Sequence, residues 1–105
     1  MSFRGLKNEL KVIEVFRSID PWIHGQTIYA FLIIAQHTYI NKEDMRVMDI
    51  GDLMDTSSAS ASRNLRFLVD HDLINLWENP NRRIEKFVEL TQRGKRLVKR
   101  LEAIR

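Results

Sequence analysis

Two short stretches with helical apolar spacing, separated only by a tight turn, constrain this chain more than any other feature. The first, Arg46 to Asp55, carries Val47, Ile50 and Met54 at helical spacing. The second runs from Ser57 towards Asp70, with Ala61, Leu65 and Leu68 or Val69 placing one helix face on a core. Asp55-Thr56-Ser57 between them is turn chemistry, and Ser57 can cap the second helix by accepting a backbone N–H, worth about 1 kcal/mol. Asp44 is the nearest residue suited to cap the first helix, and Arg46 is not suited. Five of the seven residues from Thr56 to Ser62 are Ser or Thr, a composition that would also suit a linker. A glycine-free run that feeds straight into an apolar-periodic stretch is not built to be flexible. The serines therefore open a helix.

Elements flank this pair on both sides. Phe3, Leu6, Leu10, Ile13 and Phe16 recur at helical spacing, with Val12, Val15 and Ile19 beside them. Asp20-Pro21 ends that helix, because the residue before proline is pushed out of the α region. The segment from Gln26 to Ile40 is apolar on nearly every side and predicts a central helix. Residues 41–45 form a polar connector. Beyond Asp70, with His71 and Asp72 as the helix exit, the runs 73–77 and 84–90 flank "ENPNRR", which reads as a hairpin with a basic tip. A last helix follows, with Thr91 as cap. Leu97, Val98, Leu101 and Ile104 lie along one side of it, and Arg93, Lys95, Arg96, Lys99 and Arg100 along the other.

At 105 residues the chain is one domain, 1–105. It divides into a packing and possible dimer helix (1–20), a helix-turn-helix with hairpin (45–90) and a closing helix (91–105). With 44% apolar residues it can build a core, and with no cysteine it has neither disulfides nor thiolate metal sites. No apolar run reaches signal-peptide or membrane-span length, which predicts a cytoplasmic protein with no membrane partner. His24, His37 and His71 are scattered, and no nucleophile or phosphate-loop motif occurs. Asp49 and Asp52 are first-turn acids favoured by the helix dipole. The expectation is a non-enzyme without metal or cofactor.

Charge is uneven along the chain. Up to Asp55 there are six basic and eight acidic residues, against eleven and six from Thr56 onward, so the halves carry −2 and +5. A negatively charged partner at one end fits this asymmetry. The fold class expected is mainly α with a small β-hairpin, a winged helix-turn-helix. In that arrangement the serine-led helix enters the major groove of double-stranded DNA and the hairpin, or wing, reaches backbone or minor groove. The expected contacts are Ser57, Ser58, Ser60, Ser62, Arg63 and Arg66 on the helix, and Arg82 and Arg83 on the wing. Arg63 is the base reader, because an arginine can grip guanine bidentately. Arg66 and the serines suit phosphates. Phe67 falls on the outer flank, where it can pack under the wing or meet thymine methyls.

"DIGDLMDTSSASASRNLRFLVDHDLI" resembles the "eLa..L..s.stvsr.l..Le..GLi" stretch of the MarR family of winged-helix regulators, with Ile50, Met54, Ser57 and Ser62-Arg63 at matching positions. Leu90, Thr91, Gly94 and Leu97 match the family's "LT..G..L" after the wing. The similarity spans about Gln26 to Ile104. It implies a dimeric transcriptional regulator, repressor-like, that contacts duplex DNA through the serine-led helix and the wing arginines. The chain departs from the pattern at Asp72, where the family has glycine, and at Asn81, where it has an acid. One extra residue before Leu90-Thr91 lets either Arg82 or Arg83 hold the wing position. The chain also stops about fourteen residues after Thr91, short of the long C-terminal helices usual in the family. Homodimer contacts are then expected from Leu6, Leu10, Ile13, Leu97, Leu101 and Ile104, and a small-molecule effector is not carried over. The alternative is a winged helix used as a protein–protein assembly module, with Phe67, Trp77 and the first helix as candidate apolar contacts.

Overall fold

The computed structural model describes residues 3–104, and their side chains except those of 3–6, 79 and 82–84. Helix α1 (Phe3–Ile19) ends at Asp20-Pro21, where the Asp20 carboxylate accepts the Trp22 N–H at 2.8 Å. Its last turns are anchored by Val15 and Phe16, and the Phe16 ring meets Phe31 edge-on at 5.6 Å. Helix α2 (Gly25–Ile34) buries Thr27, Ala30, Phe31 and Ile34, and continues as π-helical turns from Ala35 to Ile40. The chain then enters β1 (Met45–Arg46), which leads directly into α3 (Val47–Met54) and, after the turn, α4 (Ser58–Asp70). Strands β2 (Ile74–Asn79) and β3 (Arg82–Leu90) form the wing, and α5 (Gln92–Glu102) closes the chain.

Three of these features differ from the sequence expectation. The central helix widens into π turns. The connector holds a strand: Met45 pairs with Val88 and Arg46 with Phe87, so the hairpin becomes a three-stranded antiparallel sheet, ordered β1-β3-β2. The first helix of the motif starts under Arg46 rather than under an Asp44 cap. Arg46 cannot accept a hydrogen bond, so Asp49 does the work from inside the helix by taking the Arg46 backbone N–H at 3.1 Å.

Both helices of the pair end in the same way. The N–H of Thr56 bonds the Gly51 carbonyl and that of Asp55 the Asp52 carbonyl. At the end of α4, Leu73 bonds Leu68 and Asp72 bonds Val69. These are Schellman closures, with the left-handed position filled by Asp55 (φ 51°) and Asp72 (φ 57°). Leu68 and Leu73 are both fully buried, which supplies the apolar contact the closure favours. Asp72, the family's glycine position, thus takes the backbone conformation of glycine while keeping its side chain.

Thr91 then stitches α5 to this junction. Its hydroxyl donates to the Asp72 carbonyl at 2.6 Å and accepts the Gly94 N–H at 3.0 Å, while its own N–H bonds the Leu73 carbonyl. A Cβ at Gly94 would collide with the Leu73 carbonyl oxygen, so only glycine lets α5 approach this closely.

Candidate nucleic-acid interface

Helix α4 is held in one rotational setting by its buried face. Ala61, Leu65 and Leu68 are in the core, and buried Thr27 of α2 donates its hydroxyl to the Asn64 side-chain Oδ1 at 2.9 Å. Val69, the alternative core position, stays partly exposed. The opposite face is then dictated: Ser57, Ser58, Ser62, Arg63 and Arg66 are exposed and Ser60 is half-buried.

Ser57 caps the helix by accepting the Ser60 N–H at 3.2 Å, and its hydroxyl donates to Ser60 Oγ at 3.2 Å. Arg63 Nη2 donates to the same Ser60 Oγ at 3.1 Å. The serines therefore draw the Arg63 guanidinium towards the start of the helix. Among the described residues, neither Arg63 nor Arg66 has an ion-pair partner. Small hydroxylated side chains and two arginines without carboxylates are a surface suited to phosphate oxygens and base edges.

Between α3, the start of α4 and β3 lies a cleft of about 400 Å³. Val47, Met48, Gly51 and Ala61 give it an apolar side, and Ser58, Ser62 and Lys86 also line it. Arg46 spans its edge, bonding Asp49 at 3.0 Å through Nη2 and approaching Glu85 of β3 at 3.6 Å through Nη1. The guanidinium hydrogen bonds of Arg46 hold the Asp49 carboxyl below the usual carboxylate range, reinforced by the Arg46 backbone N–H and opposed by burial. Asp49 raises the Arg46 guanidinium in turn. Through Arg46, which faces both Asp49 and Glu85, the start of α3 is connected to the wing strand β3.

No protein-family model matches the chain, and no curated protein matches it significantly. Solved structures do. The MepR–DNA complex of S. aureus is 21% identical and superposes with a TM-score of 0.77 over 97% of this chain and 80% of that one. A mutant E. coli MarR in complex with operator DNA is 16% identical, with a TM-score of 0.69 over 97% and 68% of the two chains. The transcriptional regulator Tm0710 from Thermotoga maritima is 15% identical, with a TM-score of 0.73 over 95% and 66%. The chain has the MarR-type winged-helix fold. MepR and Tm0710 are transcription regulators. Among the described residues no helix is long and apolar enough to cross a membrane, and no three metal-ligating side chains are grouped.

Within this MarR-type fold the other expected residues fall in distinct places. Arg82 and Arg83 head β3 beside the Pro80-Asn81 turn, and their side chains lie outside the described residues, as does that of Leu6. Leu10 and Ile13 are exposed at 58% and 45%, and Leu101 and Ile104 are half-buried. Leu97 is buried in the core at 6% exposure. Phe67 is half-buried, packed against the core. It stacks on His71 at 4.0 Å, while that imidazole contacts the Phe67 carbonyl and the Asp20 carboxylate, tying the end of α4 to the end of α1.

Two residues of the surface were missed in the sequence, Arg46 and Lys86. Lys86 carried a signal, since period-2 alternation puts it on the same strand face as Val88 and Leu90. That face turns towards the helices, and beyond the core it opens into the cleft.

Proposed function

We propose that this chain is a sequence-specific double-stranded DNA-binding regulator that acts as a homodimer, in the manner of a repressor occupying its operator. The observation that carries this reading is the N-terminal face of α4, where exposed serines and two arginines with no ion pair among the described residues stand opposite a buried stripe. In this proposal α4 enters the major groove and Arg63 reads a guanine. Ser57, Ser58, Ser60, Ser62 and Arg66 hold phosphates, and Arg82 and Arg83 reach the adjacent minor groove. MepR and MarR, which share the fold, have both been solved with DNA, and that supports the same use here. A chain without cysteine fits the reducing cytoplasm in which such a regulator would work.

A two-fold dimer would set two recognition helices roughly 34–36 Å apart and favour a palindromic site. Exposed Leu10 and Ile13 support a second copy packing on α1, with Leu101 and Ile104 of α5 contributing. Of the apolar candidates for the adaptor alternative, Phe67 is half-buried and stacked on His71, while Trp77 stacks on Phe87 at 4.5 Å and keeps 37% of its surface exposed.

Fluorescence anisotropy of labelled duplexes across a salt series tests the proposal. Affinity should fall linearly on a log–log plot, by about 0.9 in slope per phosphate contact. Arg63→Ala should lose about 1–3 kcal/mol more on the selected operator than on random duplex. Equal losses on both would reduce Arg63 to a phosphate contact, and no binding at low salt would overturn the DNA reading.

A further inference from the structure

We infer that Lys86 is a phosphate contact, seating one DNA backbone in the cleft between α4 and the wing. The inference rests on the DNA-binding reading and adds a site to it. In a duplex, a single sugar–phosphate backbone separates the major groove from the neighbouring minor groove. A protein with a helix in one and a hairpin in the other must let that backbone pass between helix and hairpin. Here the space between them is the cleft of about 400 Å³, with Ser58 and Ser62 lining it from α4 and Lys86 from β3.

The charges in the cleft single out Lys86. Arg46 is committed to Asp49 and Glu85, at 3.0 and 3.6 Å. Lys86 has no ion-pair partner among the described residues, although Glu78 stands opposite it in the strand register. It is also exposed, so an incoming anion can reach its ammonium. An apolar wall suits a lysine, whose methylenes can lie along it while the charge stays in water. Asp52 lines the α3 side and opposes an anion, so the seat depends on the charge of Lys86.

The test compares wild type, Lys86→Ala and Lys86→Arg by anisotropy on a selected operator and on a random duplex, over a salt series. Lys86→Ala should weaken both duplexes alike, by about three- to tenfold per protomer at low salt, and lower the salt slope by about 0.9 per protomer, or about 1.8 for a bound dimer. Lys86→Arg should restore the slope. The thermal midpoint of Lys86→Ala should match wild type, as expected for an exposed side chain. If wild type binds with a steep salt dependence and Lys86→Ala keeps the full slope, the cleft is not the backbone seat and the DNA reading stands. If wild type shows no salt-dependent binding, the DNA reading falls and this inference with it.

Discussion

Gly94 and Gly51 show how differently one residue type can be used. A Cβ at Gly94 would run into the Leu73 backbone carbonyl, which cannot move without unpicking the end of α4 and the start of β2. A Cβ at Gly51 would meet Ala61 Cβ at 3.7 Å and the Thr56 carbonyl oxygen at 3.8 Å, both ordinary contacts. Gly94→Ala should therefore destabilise the protein by about 2–4 kcal/mol. Gly51→Ala, inside α3, should stabilise it by up to about 1 kcal/mol through helix propensity. Urea midpoints of the two variants measure this, and a Gly94→Ala protein as stable as wild type would remove the close-approach account. The position of Gly94 was legible from its spacing to Thr91. Its reason was not, because the atom that excludes a side chain belongs to Leu73, far back in the chain. Phe67 was illegible for a similar cause: its partner, His71, is fixed in turn by Asp20 from another element.

At the level of elements, the two-residue strand β1 was invisible in the sequence. Two residues show no period, and β1 exists only because β3 offers it hydrogen bonds. The π turns of residues 35–40 escaped for the same reason, since their apolar pattern suits an ordinary helix equally well. By contrast, the boundaries of α4 were legible at both ends. Ser57 is a strong cap, and the apolar stripe stops where the Asp72 turn begins. Asp49 was recognisable as a first-turn acid, but its ion pair with Arg46 was not. That pair has a pH consequence. Folding lowers the Asp49 carboxyl below its ordinary value, so the stability it contributes is present at neutral pH and is lost as pH falls from the ordinary carboxylate value down through the lower folded one. The thermal midpoint of wild type should exceed that of Asp49→Asn at pH 7, and the gap should start to close below about pH 5 and go on closing as pH falls below the ordinary carboxylate range. A gap that ignores pH would mean that packing, not the ion pair, sets the difference.

Across the whole molecule, the order of elements was enough to recover the architecture, because a tight turn between two amphipathic helices followed by a hairpin leaves few ways to bury every apolar face. Association between copies is a different matter, since no single chain contains its partner. Helix α1 anchors by Val15 and Phe16, while the side chains described from Lys7 to Glu14 are exposed or half-buried. If a second copy covers them, Leu10→Glu with Ile13→Glu should give a folded monomer by sedimentation and weaken operator binding by about tenfold or more, as a bivalent contact becomes monovalent. An unchanged mass with unchanged binding would place the interface elsewhere. The strand order carries a mechanical consequence too. β3 lies between β1 and β2, so the wing is not a flap hung from one edge. Its tip belongs to a strand whose far end is set in the core at Val88 and Leu90 and hydrogen-bonded to β1, which leads directly into α3. The wing has the build of a lever, its shaft β3 crossing the Met45–Val88 pair beside the foot of the helix-turn-helix.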